Sequence, residues 1–66
     1  MSILKKFGHR LKEIRNNKSL SQEKLASIAG LHRTYISDIE RGNKNVSLQN
    51  IEKLSKALKV KVSDFF

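Results

Sequence analysis

The chain has 66 residues, no cysteine and no proline, and 14 Lys plus Arg stand against 6 Asp plus Glu, a formal charge of +8. So short a chain allows one domain, 1–66, burying about 60% of its unfolded surface, with no disulfide or thiolate metal site to staple it. It holds no apolar run of the ~18 residues a membrane span needs and nothing like a secretory signal at its start, so a cytoplasmic chain is expected, with a positive field that attracts polyanions.

Apolar spacing is helical throughout. Leu4, Phe7, Leu11 and Ile14 recur at intervals of three and four, with Lys5, Lys6, Arg10, Lys12 and Arg15 between them. That pattern predicts an amphipathic first helix of about four turns. Its end is expected near Asn16-Asn17-Lys18, because asparagine tolerates the left-handed backbone of a C-cap. Gly8 costs this helix about 0.5–1 kcal/mol relative to alanine, which points to close approach of a neighbouring helix. The second helix starts at the N-cap Ser21, puts Glu23 in its positive first turn, and turns Leu25, Ile28 and Ala29 inward before Gly30 stops it. A third helix is expected over 33–41, with Ile36 and Ile39 inward and Gly42 as its stop. The fourth begins at the N-cap Ser47 and carries Leu48, Ile51, Leu54, Ala57 and Leu58. The tail from Val60 to Phe66 alternates briefly. A lone strand has nothing to pair with, and Ser63-Asp64 reads as a fifth helical turn.

The informative spacing lies in 22–41. Two short helices packed steeply around a tight turn need a small residue at their contact, a turn residue tolerant of positive φ, and apolar residues locking the second onto the first. Ala26, Gly30 and the set Leu25, Ile36 and Ile39 meet those demands. His32, Arg33, Thr34, Ser37, Asp38 and Arg41 fill the outward face. In a chain of this charge, these features together describe a helix-turn-helix that binds double-stranded DNA.

Leu20-Ser21-Gln22-Glu23-Lys24-Leu25-Ala26 and Tyr35-Ile36-Ser37-Asp38-Ile39-Glu40-Arg41-Gly42 resemble the Cro/C1-type, or Xre-like, helix-turn-helix family. The stretch from Ser47 to Leu58 resembles that family's fourth helix, so the likeness runs from Phe7 to Phe66. It implies an all-α, compact, five-helix lambda-repressor-like domain. Arg33-Thr34-Tyr35-Ile36-Ser37 with Lys44-Asn45-Val46-Ser47-Leu48 most resembles the controller proteins of restriction–modification systems, small dimers that regulate their own and the endonuclease genes. Many family members carry proline at Val46 and glycine at Ser19. The first difference points to the controller-like subset, and the second bears on the geometry of the first turn.

In this motif the start of the second helix enters the major groove. Arg33 is the candidate for bidentate bonding to guanine O6 and N7, with phosphate as its alternative. Thr34 reaches a base edge or offers its methyl to thymine, and Ser37 lies one turn after Arg33. Tyr35 has two readings, a DNA contact and a partly buried packing residue. Asp38 has three: acceptor for a cytosine amino group, orienter of Arg33, and solvated acid. Gln22 resembles the family's phosphate anchor. Arg41, Asn43, Lys44 and Asn45 suit the flanking phosphates. Glu40 reads as structural, pairing with Arg10 or Arg15. His9 and His32 have no third ligand, so no metal is expected, and no cofactor or small-molecule effector either. The exposed lysines at 5, 6, 12, 53, 56, 59 and 61 read as solvated faces that add steering.

One recognition helix reads only a few base pairs, so a homodimer on a two-fold operator is expected, with two such helices about 34 Å apart. The C-terminal elements, about 47–66, are the expected interface through Leu48, Ile51, Val60, Val62, Phe65 and Phe66, some of which also cap the chain's own core. The leading reading is a non-enzymatic, autoregulatory transcriptional regulator working on bacterial or phage DNA at the nucleoid. An antitoxin-type or phage-type repressor, whose DNA binding accompanies a protein partner, is the alternative.

Overall fold

The computed structural model describes residues 2–66. Four α-helices follow in order: α1 (Ile3–Asn17), α2 (Gln22–Ala29), α3 (Arg33–Glu40) and α4 (Leu48–Leu58). A single 3-10 turn, Val62–Phe65, closes the chain. The domain is therefore all-helical, with four α-helices rather than the five expected. The fifth element is too short for an α-helix. Its start is fixed by the Asp64 carboxylate, which accepts from the Lys61 backbone N–H at 2.9 Å.

Three helices begin on a serine. Ser2, Ser21 and Ser47 accept from the backbone N–H of Lys5, Lys24 and Asn50 at 3.2, 3.0 and 3.1 Å, each satisfying one otherwise orphaned donor. All four helices end alike. A residue at positive φ is followed by one whose N–H reaches back five positions. The pairs are Ser19 and Leu20, Gly30 and Leu31, Gly42 and Asn43, Lys59 and Val60. These are Schellman closures. The two glycine stops fall where the sequence places them. The first helix instead runs through Asn17, and its left-handed residue is Ser19 (φ 58°), not an asparagine.

The core is made by Phe7, Leu11 and Ile14 of α1, Leu25 and Ala26 of α2, Ile36 and Ile39 of α3, Ile51, Leu54 and Leu58 of α4, and Phe65. Phe65 packs against the Phe7 ring with centroids 5.0 Å apart, which pins the C-terminal turn to α1. Ile28, expected inward, is half exposed at 50%. The buried stripe of α2 centres between Leu25 and Ala26. At 100° per residue, Ile28 falls about 110° from that centre. Gly8 is buried where α1 meets α3. A Cβ there would lie 2.3 Å from the Ile39 carbonyl oxygen, so only glycine lets α3 sit this close. That contact sets the position of α3 on the scaffold.

Candidate nucleic-acid interface

The reading element begins at the turn between α2 and α3. Gly30 holds φ 72°, and no atom lies within 4 Å of the Cβ it lacks, so backbone conformation alone calls for glycine here. The chain then packs Leu31 against the core and enters α3 through the exposed His32. Unlike the serines before α1, α2 and α4, His32 makes no side-chain cap. The first N–H groups of α3 are left open at the positive end of its dipole, the arrangement that receives a phosphate or another acceptor.

Arg33 and Thr34 are exposed on this first turn, and among the described residues no side chain hydrogen-bonds to Arg33. A guanidinium so presented has all its donors available for a base edge. Tyr35 is half-buried, its ring packed against the core. Its hydroxyl accepts a hydrogen bond from Asn50 Nδ2 of α4 at 3.0 Å. The packing reading of Tyr35 is the one seen here, with its ring against the core and its hydroxyl bonded to α4.

One turn further, Arg41 folds back along α3. It donates to Ser37 Oγ at 2.6 Å and pairs with the Asp38 carboxylate. Asp38 is therefore bound to Arg41 and does not orient Arg33. The pairing neutralises the one acid on this face, which would otherwise repel a phosphate chain. Ser37 is likewise engaged by Arg41, so the two form a linked set on α3. Asn43, Lys44 and Asn45 are exposed in the loop after α3.

Behind the face lies a buried ion pair. Arg15 Nε and Nη2 donate to both carboxylate oxygens of Glu40 at 2.7 and 3.0 Å, with the Arg15 and Glu40 side chains 9% and 3% exposed. The third guanidinium nitrogen donates to the Leu20 carbonyl at 2.7 Å. Of the two expected partners for Glu40, the structure selects Arg15. Arg10 instead bonds Glu13 and the Asp64 carbonyl. Gln22 joins this network, its Nε2 donating to Glu40 Oε1 at 3.0 Å. One N–H of the Gln22 amide is thereby fixed, and among the described residues its second N–H and carbonyl oxygen have no partner.

The residues expected in a dimer surface divide. Phe65 is 2% exposed, a core residue rather than a surface one, because its ring fills the space over Phe7. Ile51 is also buried, and Val60 packs half-buried against the core. Leu48, Val62 and Phe66 are exposed at 82%, 41% and 66%. The C-terminal alternation could not distinguish these, since both tail rings lie against Phe7, at centroid distances of 5.0 and 5.7 Å, yet only Phe65 is enclosed by the core. The sequence reading missed the contribution of α1. Ile3, Leu4, Phe7, Val46, Ile51 and Phe66, with the polar Asn45, together line one shallow groove. It also missed Asn50, whose only sequence signal is its place three residues after the N-cap Ser47.

Among the described residues no helix is long and apolar enough to cross a membrane, and no cluster of metal-ligating side chains occurs. Comparison with known proteins gives a match to the helix-turn-helix family model HTH_3 over residues 11–65. The chain is 64% identical over 59 residues to the control protein C.BamHI of Bacillus amyloliquefaciens, covering 88% of this chain and 73% of that one. It is 48% identical over 62 residues to the control protein C.MunI of Mycoplasma sp, covering 92% and 84%. Among solved structures, the restriction-modification controller protein C.AhdI from Aeromonas hydrophila superposes with a TM-score of 0.94 at 52% identity, covering 96% of each chain.

Proposed function

The chain belongs to the HTH_3 helix-turn-helix family, and from that premise we propose that it is the transcriptional regulator of a restriction–modification system. It binds double-stranded DNA as a two-fold dimer and reads sequence in the major groove. The observation that carries this reading is the first turn of α3. Arg33 and Thr34 stand exposed beside a helix N-terminus left without a side-chain cap, in a chain 64% identical to a control protein.

Each residue has a role that follows from its position. Arg33 donates in bidentate fashion to a guanine, and Thr34 meets the neighbouring base. Arg41, held by Asp38, and Ser37 line the same groove one turn on. Gln22 donates to a phosphate with the amide hydrogen that Glu40 leaves free, and Asn43, Lys44 and Asn45 meet the flanking backbone. The dimer forms through the apolar surface around Leu48, Phe66 and the groove between α1 and α4, placing two copies of α3 about one helical turn apart. Regulation comes through protein concentration and dimer assembly, in the cytoplasm, without a small-molecule effector.

Selection from a random-sequence duplex pool tests the reading. It should return a two-fold symmetric site whose half-site centres lie about 34 Å apart on one face of the DNA. A pool that shows no enrichment after repeated rounds would exclude it.

A further inference from the structure

Asn50 sits outside the reading face, on α4, yet its side chain reaches the first turn of the recognition helix. We infer that Asn50 is a positioning residue for DNA recognition, fixing the Tyr35 hydroxyl so that its single proton points away from the protein and toward the nucleic acid. This rests on the DNA-binding reading above.

A phenol carries one O–H proton and two acceptor lone pairs. Asn50 Nδ2 donates to the Tyr35 oxygen at 3.0 Å, so this contact fills an acceptor site and leaves the proton unspent. Rotation of the hydroxyl is restricted by that bond, and an accepting oxygen is a more strongly polarised donor. The ring is held too, half-buried against the core. The backbone from which the Asn50 side chain springs is fixed in the first turn of α4, its N–H donating to Ser47 Oγ at 3.1 Å. Tyr35 follows directly on Arg33 and Thr34, at the helix end that lacks a side-chain cap. The acceptor in reach of that turn when DNA is bound is a phosphate oxygen, which draws a polarised O–H proton strongly. The first turn of α4, which also presents the exposed Leu48, thus sets a donor on α3 across a separation of 15 residues.

The test reverses the polarity of the bond. Asn50→Asp supplies a carboxylate that accepts the Tyr35 proton, so the link survives but the proton is consumed within the protein. Melting temperature and affinity for the duplex recovered by selection are measured for the native chain, Tyr35→Phe, Asn50→Asp and the double variant. The expected result is a melting temperature close to native for Asn50→Asp with roughly tenfold weaker binding, the scale of one hydrogen bond to a charged acceptor. In the Tyr35→Phe background the same change should cost much less, only the repulsion of the added charge. Asn50→Ala, which adds no charge, covers the case in which Asn50→Asp does not fold. It should weaken binding severalfold in the native background and leave Tyr35→Phe unchanged. Equal losses in both backgrounds, or native affinity in Asn50→Asp, would overturn the inference while leaving DNA binding intact. A native chain with no preferred duplex removes the DNA-binding reading and this inference with it.

Discussion

Arg33 is the side chain on which we propose that sequence preference rests. It is exposed, makes no hydrogen bond to another side chain among the described residues, and leads α3. Arg33→Ala should cost about 1–3 kcal/mol against the selected duplex and relax preference at one position per half-site. Competition binding with single-base variants of that duplex checks this, and a uniform loss across all variants would mark Arg33 as a phosphate contact. A second residue matters for stability alone. Ser19 closes α1 at φ 58°, a left-handed conformation that favours glycine. A left-handed backbone costs a residue with a Cβ about 1–2 kcal/mol, and glycine returns part of that as chain entropy. Ser19→Gly should therefore raise the unfolding free energy by about 1 kcal/mol in urea titration, with DNA binding unchanged. The sequence exposed this position as a departure from the family pattern. It could not say that the backbone keeps the left-handed turn, because the Leu20 N–H bond to the Arg15 carbonyl that closes it is a backbone contact no serine announces.

The element that turns the motif into a rigid reading head is the Arg15–Glu40 pair, which ties α1, the first turn and α3 and also holds Gln22. Removing one partner strands a buried charge, at about 3–5 kcal/mol, which rivals the whole stability of a domain this small. Glu40→Ala is expected to unfold near room temperature by circular dichroism. Arg15→Met combined with Glu40→Leu should recover most of the helical signal, because no charge is then left unpaired. If the single variant melts like the native chain, the pair does not bear on stability. Helix starts were legible at Ser21 and Ser47 because N-cap chemistry is local. Helix ends were legible only where glycine marks them, at Gly30 and Gly42. The position of Ile28 was not legible, since a helix of eight residues carries two overlapping apolar stripes and only the neighbours decide which one is buried. The Asp38–Arg41 pairing was missed. A spacing of three puts Arg41 on the same helix face as Asp38, whereas Arg33, five positions before it, lies about 140° away.

For the whole molecule, we propose that stability and assembly fall to different aromatic residues of the same tail. Phe65 completes the core and Phe66 lies mostly in water beside the groove between α1 and α4. Sedimentation should accordingly find Leu48→Lys with Phe66→Lys shifted toward monomer at a melting temperature near native. Phe65→Ala should lower that temperature sharply, at a cost of about 3–5 kcal/mol. A doubly substituted chain that still sediments as the native species would place the interface elsewhere. The tail's alternating pattern gave no means of separating these roles, because the 3-10 turn that divides them is created by the Asp64 contact to the Lys61 N–H and by the docking of Phe65 on Phe7. Charge, by contrast, was plain from composition, and it attracts any polyanion. The central claim is that this field is joined to sequence reading by the turn Arg33–Tyr35. The direct measurement is affinity for the selected duplex and for random-sequence duplex over a series of salt concentrations. Both log affinities should fall linearly with log salt, with the selected duplex held at least about 10³-fold tighter. Equal affinity for the two duplexes at every salt concentration would contradict the account.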